Sequence, residues 1–252
     1  MRHAAEIDAY DPLDHFSVEQ AEALDRTAQF AIIAARQAVA DAALSNTLLA
    51  SGRVALVMGI CAGGQGDSNI PAGDGHWWSE EKLSRRFLAT AHYFQTDAVA
   101  AELGVHGPAI TVSTACASST SALGIGFSLL QAGKADVVLV GGADAFSLYT
   151  YAGFYALGAM PEQPISPFSI NTGVTFGEGA GCVVLESLEQ ARARGVPVQG
   201  ELLGCGMSGD AYHITAPHPS GEGLQRAMAA ALRQANLTPA EVDYINRGRG
   251  RR

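Results

Sequence analysis

The clearest structural pattern in the chain lies in residues 108–141, PAITVSTACASSTSALGIGFSLLQAGKADVVLVG. Residues 108–114 and 135–141 are short apolar runs rich in β-branched side chains, which predicts two buried strands. Between them, residues 117–131 repeat apolar side chains on one face of a helix, and Gly133 is a typical helix terminator. A strand–helix–strand unit of this length predicts a parallel sheet that is buried on both faces.

Further strands are predicted on both sides of this unit. The apolar runs at residues 53–60 and 181–186 predict two more buried strands. Residues 199–207 and 242–246 predict strands nearer the C-terminus. Residues 61–66, CAGGQG, lack the Lys that a phosphate-binding GxxxxGK[ST] loop requires, so a tight turn is expected there.

Helices are predicted before and between these strands. Residues 17 to about 43 predict a helix with a break near Asp25, and Ser17 and Gln20 have the spacing of a capping box at its start. Shorter helices are predicted at residues 96–103, 187–194 and 221–235.

The sequence Gly195-Val196-Pro197 interrupts both the helix and the strand patterns. We therefore place the main boundary of the chain there. It separates one domain at residues 1–196 from a second at residues 197–252.

Composition and charge limit the classes of protein to which the chain can belong. Of its 252 residues 48% are apolar and 16% are charged, which predicts an ordered core rather than extensive disorder. The net charge is −9. A nucleic-acid-binding protein needs a basic face, so that class is not expected.

The N-terminus, the length of the apolar runs and the cysteines predict the cellular compartment of the chain. The acidic N-terminus lacks the apolar core of a secretory signal, and no apolar run reaches the about 18 residues of a membrane span. The four cysteines have neither the paired spacing of a zinc site nor the density of a disulfide framework. A soluble protein of the reducing cytoplasm without a metal site is expected. Cys61, Cys182 and Cys205 lie in or beside apolar strand runs, which predicts packing roles.

Cys116 is the candidate nucleophile. It lies where a buried strand is predicted to end and a helix to begin, so its thiolate would meet free N–H groups and the positive end of the helix dipole. Both favour the thiolate, which is the reactive form of cysteine. Small neighbours leave room for an acyl group, and its own N–H could face an oxyanion. The alternative is a buried cysteine that serves only as a small apolar residue.

Four separated stretches resemble the β-ketoacyl-acyl-carrier-protein synthases, a family of thiolase-like condensing enzymes. Residues 114–119, TACASS, with residues 122–144 resemble the family's active-site segment. Residues 177–181, GEGAG, resemble its glycine-rich turn, and residues 206–215, GMSGDAYHIT, resemble the opening of its second half. Residues 237–246, LTPAEVDYIN, resemble the strand that enters its first catalytic-histidine motif. The stretches follow the family's order over nearly the whole chain.

The resemblance implies an α/β, thiolase-like fold with α-β-α layers and a mainly parallel central sheet. It implies that Cys116 accepts an acyl group and that its N–H contributes to the oxyanion hole. A malonyl thioester then loses CO₂, and the carbanion attacks the acyl group to give a 3-oxoacyl thioester in fatty acid or polyketide synthesis. Phe154 falls where the family lines its acyl pocket, and Thr215 falls near the pantetheine entrance. Glu178, within GEGAG, is expected to orient the backbone rather than act as a base.

The resemblance also implies the partners. No cofactor bound to the chain itself is expected, because the phosphopantetheine arm arrives on an acyl carrier protein. A homodimer formed by strand pairing is expected. Lys82, Arg85 and Arg86 form a basic cluster, which makes them the candidate docking site for the acidic carrier protein.

The sequence departs from the family at both ends. The family's first strand and helix have no counterpart before residue 1, and Gly248 stands where the first catalytic histidine is expected. The second histidine, a lysine and the second oxyanion donor would lie beyond residue 252. We therefore expect impaired condensation. We also expect a marginal, aggregation-prone product when the chain is expressed alone.

Two alternatives stay open at this point. The chain could be a catalytically inactive fragment that keeps only a dimerisation surface. It could also be another thiolase-like acyltransferase that uses coenzyme A, although DAYHIT and GEGAG favour the carrier-protein synthases.

Overall fold

The computed structural model describes residues 4–66, 84, 87–162, 173–213 and 216–246. The first elements are β1 (Ala4–Ala5), a 3-10 turn (Pro12–Asp14), α1 (Val18–Ala23), α2 (Arg26–Asp41), α3 (Asn46–Leu49) and β2 (Val54–Gly59). They are followed by a second 3-10 turn (Gly63–Gly66), α4 (Tyr93–Leu103), β3 (Ala109–Val112), α5 (Ser118–Gln131), β4 (Val137–Asp144) and α6 (Leu148–Ala156). The last are β5 (Phe176–Gly177), β6 (Gly179–Glu186), α7 (Leu188–Arg194), α8 (Glu222–Ala235) and a third 3-10 turn (Pro239–Glu241).

A four-stranded sheet with the order β3-β2-β4-β6 forms the centre of the structure. β2 pairs in parallel with both β3 and β4, and β6 pairs with β4 in the antiparallel direction. The strand–helix–strand unit predicted from residues 108–141 is therefore confirmed as β3, α5 and β4, with β2 inserted between its two strands. The short strands β1 and β5 form a separate parallel pair.

Helices cover both faces of this sheet because alternate side chains of each strand point to opposite faces. On one face Leu56 of β2 packs in a cluster with Ile32 of α2 and Val99 of α4. On the other face Val57 packs with Ala122 of α5. The α-β-α layers and the mainly parallel sheet expected from the resemblance are confirmed.

The N-terminal helices begin at the capping residues that the sequence indicates. Ser17 and Gln20 form both hydrogen bonds of a capping box at the start of α1. Asp25 then starts α2, because its carboxylate accepts the N–H groups of Thr27 and Ala28 at 2.9 and 3.4 Å. The predicted break is thus the point where one helix ends and a second begins.

Two predicted strands near the C-terminus are wrong. Residues 199–207 and 242–246 have no strand assignment in the structure. Gly204 and Gly206 lie against the backbone of α8 instead, and a Cβ at Gly204 would come within 2.6 Å of the carbonyl oxygen of Ala231. Alternating apolar residues favour a strand, but a strand also needs a neighbour with which to pair, and packing against α8 competes with that pairing.

A groove of about 910 Å³ separates β6 from residues 196–203. Its walls include apolar side chains from β6, from α5 and from the segment that follows α7, among them Val183, Leu185, Phe127, Leu130, Val198 and Leu202. The outer edge of β6 has no strand neighbour within the described part of the chain.

The domain boundary after residue 196 stays a prediction.

Candidate functional site

Three turns meet at one edge of the sheet, where the parallel strands β3, β2 and β4 have their carboxyl ends. Residues 113–117 follow β3, residues 60–66 follow β2, and residues 145–147 follow β4. Ligands of parallel α/β sheets bind outside this edge, because the strand ends and helix starts converge there. It is the candidate site of the chain.

Cys116 lies in the turn between β3 and α5, at the junction that the sequence predicts. The turn is tight: the N–H of Ala117 donates to the Thr114 carbonyl at 3.2 Å, and the N–H of Ser118 donates to the Ala115 carbonyl at 3.0 Å. Ala115 has a φ of 52°, which L residues with a side chain rarely adopt. The left-handed residue turns the chain sharply, and the Cys116 side chain is exposed.

The start of α5 supplies the electrostatics of this turn. Cys116 precedes the first residue of the helix by two positions, within the range over which the dipole and free N–H groups of a helix N-terminus act. The hydroxyl of Ser118 holds the turn closed, because it accepts the N–H of Thr114 at 2.9 Å and donates to the carbonyl of Ala115 at 2.6 Å. This arrangement fixes the Cys116 side chain in a closed turn at the N-terminal end of α5.

Gly59 allows α5 to begin directly against the end of β2. A Cβ at Gly59 would overlap the backbone of Ser118 and Ser119, so only glycine fits there. The close approach fixes the Cys116 turn relative to the turn that follows β2.

Asp144 holds the turn after β2 in place. Its carboxylate ends β4 and accepts the N–H groups of Cys61, Ala62 and Gly63 at 3.1, 2.6 and 3.1 Å. Burial raises the pKa of Asp144 above its ordinary value, and these three hydrogen bonds oppose that rise. The glycine-rich stretch is therefore a turn held by a carboxylate, consistent with the predicted tight turn.

Cys61 differs from its predicted packing role. It lies beyond the end of β2 and is exposed, whereas Cys182 lies on β6 against the core cluster. The ring of His92 fixes the same turn, because its Nε2 lies 2.8 Å from the Cys61 carbonyl oxygen. A carbonyl can only accept, so that nitrogen carries the proton.

Glu178 joins the N-terminal segment to the loop after β4. Its carboxylate accepts two hydrogen bonds from the Arg26 guanidinium, at 2.9 and 2.6 Å, and one each from the N–H groups of Ile7 and Phe146, at 2.8 and 3.0 Å. Burial would raise the pKa of Glu178, but these donors outweigh it and the pKa lies below its ordinary value. Both oxygens are occupied, which is consistent with the orienting role expected for this residue and leaves no free lone pair for a base.

Phe154 lies on α6, and its ring meets that of Phe176 edge-to-face at 4.9 Å. Tyr151 and Phe146 extend this aromatic cluster. α6 also contacts the 3-10 turn Gly63–Gly66, which connects Phe154 indirectly to the candidate site. Its place in the acyl pocket stays a prediction.

Several predicted residues lie outside the described residues. They are Thr215, the basic cluster Lys82, Arg85 and Arg86, and Gly248.

Sequence reasoning missed two residues that organise the site. Asp144 carries a signal that could have been used, because it is a charged residue at the carboxyl end of a buried strand. Arg26 carries no such signal, because its partner Glu178 lies 152 positions away in the sequence.

Within the described ranges, no group of three or more His, Cys, Asp and Glu side chains is placed to hold a metal ion. None of the helices described is long and apolar enough to cross a membrane.

Comparison with known families supports the resemblance along the chain. The model of the beta-ketoacyl synthase N-terminal domain matches residues 3–191, and that of the C-terminal domain matches residues 199–249. The 3-oxoacyl-[acyl-carrier-protein] synthase 2 of Staphylococcus aureus is 38% identical over 258 residues. That match covers 96% of this chain and 62% of the relative, so the chain spans about three fifths of the relative's length.

Solved structures agree with the sequence comparison. The ishigamide ketosynthase/chain length factor has a TM-score of 0.82 at 33% identity, over 95% of this chain and 60% of that one. A ketosynthase bound to the hexaketide, in complex with its type II PKS acyl-carrier protein, has a TM-score of 0.77 at 28% identity, over 87% of this chain and 57% of that one. With its fold, its cysteine-bearing strand–helix turn and both family models in agreement, the chain belongs to the β-ketoacyl synthase family.

Proposed function

We propose that this chain provides the acyl-accepting part of a 3-oxoacyl-[acyl-carrier-protein] synthase, with Cys116 as the nucleophile. The observation that carries the proposal is the exposed Cys116 in a strained turn at the start of α5. The relative from Staphylococcus aureus is named for this activity, and the match covers 62% of its length.

The acyl transfer follows from the chemistry of that turn. The Cys116 thiolate attacks the carbonyl carbon of an acyl thioester, and a tetrahedral oxyanion forms. The N–H of Cys116 is the donor proposed to stabilise this oxyanion. The carbon–sulfur bond to the phosphopantetheine arm then breaks, the arm leaves as a thiolate that takes up a proton, and the acyl group stays on Cys116.

The condensation step needs groups beyond the described residues. A malonyl thioester would lose CO₂, and the resulting carbanion would attack the acyl carbon and release the Cys116 thiolate. The family's histidines assist this step, and Gly248 stands where the first of them is expected. One acid–base group contributes about 10²–10⁴ in rate. We therefore expect acylation without efficient condensation from this chain as given.

The partners follow from the same proposal. The substrate would arrive on the phosphopantetheine arm of an acyl carrier protein. A solved relative supports this partner, because it is a ketosynthase in complex with its type II PKS acyl-carrier protein. No cofactor resident in the chain is required. We also propose that the chain forms a homodimer and that it acts in the cytoplasm.

Intact-protein mass spectrometry tests the acyl transfer. The reduced chain is incubated with an octanoyl thioester of an acyl carrier protein and, separately, with octanoyl coenzyme A. One octanoyl group per chain is expected from the carrier protein, none is expected in Cys116→Ala, and Cys205→Ser should behave as the wild type. No adduct on folded protein would contradict the proposal, and a faster reaction with coenzyme A would favour the coenzyme A-dependent alternative.

A second candidate function is an inactive partner that only contributes a dimerisation surface. The observation that favours it is the position of β3 at the edge of the described sheet, where it has a single strand neighbour. A well-defined dimer that never becomes acylated would support this candidate over the first.

A further inference from the structure

Two cysteines share the candidate site, and both are exposed. Cys61 follows β2 and Cys116 follows β3, at the same edge of the sheet. The other two cysteines lie elsewhere: Cys182 is on β6, and Cys205 lies near Gly124 of α5. The acyl transfer proposed above needs only one of the two thiols at the site, so the role of Cys61 is open.

The strand register places the two cysteines close together. β2 and β3 are parallel neighbours with Gly59 opposite Val112, and the N–H of Ile60 continues the pairing with a 3.0 Å bond to the Val112 carbonyl. If the register is continued by two residues, Thr114 lies opposite Cys61. Adjacent strands are about 4.8 Å apart, so the chain just before the nucleophile runs beside Cys61.

The chain just after Cys116 is also held against β2. The backbone of Ser118 lies so close to Gly59 that no Cβ would fit between them. Because Ala115 has a left-handed backbone, the chain reverses between these two anchors. Cys116 is therefore confined to a short turn over the end of β2, where Cys61 begins the next turn.

The electrostatics agree with this proximity. Burial raises the pKa of the Cys61 thiol above its ordinary value, and a negative charge on Asp144 or on Cys116 raises it further. Cys61 therefore stays a protonated thiol next to the candidate nucleophile.

We propose that Cys61 is a resolving thiol, which forms an intramolecular disulfide with Cys116 when a peroxide oxidises the site. The Cys116 thiolate attacks one oxygen of the peroxide, the O–O bond breaks, and hydroxide leaves while Cys116 becomes a sulfenic acid. The Cys61 sulfur then attacks the Cys116 sulfur and the S–O bond breaks. The departing hydroxide takes the Cys61 proton and leaves as water.

This disulfide would reversibly inactivate the site. In the disulfide Cys116 has no thiolate for acyl transfer, and a thiol reductant restores it. The disulfide also removes the sulfenic acid before it is oxidised irreversibly to sulfinic acid. The inference goes beyond the proposed function, because the disulfide can form whether or not Cys116 accepts acyl groups.

Thiol mapping of the intact chain tests the proposal. The reduced protein is treated with hydrogen peroxide, its remaining thiols are alkylated, and a tryptic digest is analysed without reductant. We expect a linked pair of peptides that contain Cys61 and Cys116, with loss of alkylation at both positions and full recovery after dithiothreitol. Cys205→Ser is the matched control and should form the same linked pair.

The Cys61→Ser variant separates a resolving thiol from a bystander. It should lose the linked pair and accumulate Cys116 sulfinic acid that dithiothreitol does not reverse. The proposal is overturned if wild-type Cys116 reaches sulfinic acid while Cys61 stays free, or if the only disulfide joins two chains on a non-reducing gel. Because acylation is measured on reduced protein, failure here leaves the proposed function intact.

Discussion

Glu178 is a single side chain that ties together three segments far apart in the sequence. Its carboxylate is 1% exposed and binds the Arg26 guanidinium at 2.6 Å while accepting N–H groups from the N-terminal segment and from the loop after β4. At the residue scale, the site therefore depends on a charge with four donors around it rather than on apolar packing alone.

Replacement of this carboxylate should lower the stability of the folded chain. In Glu178→Gln the amide keeps the size of the side chain but loses the charge, and its NH₂ group faces donors. We expect the free energy of unfolding to fall by about 1.5–3 kcal/mol, the range for hydrogen bonds to charged groups. Urea denaturation measures the loss. The exposed pair Glu222–Arg226, at 3.9 Å, supplies the control Glu222→Gln, which should change stability by less than about 1 kcal/mol.

The lowered pKa of Glu178 predicts that the stability of the chain depends on pH. The pKa of Glu178 is lower in the folded chain than its ordinary value of 4.5, so its ionised form favours the folded state. This stabilisation is fully present above pH 4.5 and is lost as the pH falls through the lower pKa of the folded chain. The stability difference between wild type and Glu178→Gln should shrink in that acidic range. A constant difference down to pH 3 would contradict the assigned ion pair.

The sequence predicts some residues of the site and not others, for local reasons. A strand pattern ends and a helix pattern begins within a few residues of Cys116. The sequence alone therefore places this cysteine in the turn between a strand and a helix. The apolar strand run before Cys61 predicts a packing role, but the strand ends at Gly59 and the thiol lies in the turn. The partnership of Arg26 and Glu178 depends on tertiary structure, which no local pattern carries.

At the scale of elements, the contact between β2 and α5 sets the geometry of the Cys116 turn. A methyl group in Gly59→Ala would enter the backbone of Ser118 and Ser119, so the start of α5 must shift. Overpacking of this kind costs about 1–3 kcal/mol. We expect lower stability in urea and at least a tenfold slower acylation of Cys116.

The matched control is Gly153→Ala on α6. A Cβ there meets nothing within 4 Å, and alanine favours a helix more than glycine does. It should be neutral or slightly stabilising and should acylate at the wild-type rate. Equal acylation by both variants would mean that the β2–α5 contact does not position Cys116.

Elements with strong local patterns are predicted to within a few residues. β2, β4, β6 and α5 lie where apolar runs and helical periodicity place them, because buried strands and amphipathic helices impose those periods. Residues 199–207 have a strand-like pattern without a strand. Their outcome depends on the neighbours, which are α8 on one side and the groove beside β6 on the other.

At the scale of the whole molecule, the described sheet has two outer edges. β3 and β6 each have one strand neighbour among the described elements, and the groove beside β6 is partly lined by apolar side chains. Large apolar side chains are also exposed on α6 and near residue 244, where Tyr149 is 74% and Tyr244 is 79% exposed. Open edges and apolar patches favour association.

The 252-residue chain expressed alone should therefore self-associate. We expect size-exclusion chromatography with light scattering to detect dimers and larger species whose share grows with concentration. Val183→Lys, which places a charge on β6 beside the groove, should reduce the larger species. Thr47→Lys, which adds the same charge at an exposed polar residue of α3 outside the groove and the apolar patches, is the control and should leave them unchanged. A monomer at every concentration, with a single cooperative melting transition, would contradict this expectation.

The central claim is that Cys116 accepts the acyl group, and peptide mapping tests it most directly. The reduced chain is incubated with an acyl carrier protein thioester, digested at a pH that preserves thioesters, and sequenced by tandem mass spectrometry. We predict one acyl group per folded chain, located on Cys116. An acyl group on another residue, or folded protein that stays unmodified, would contradict the claim.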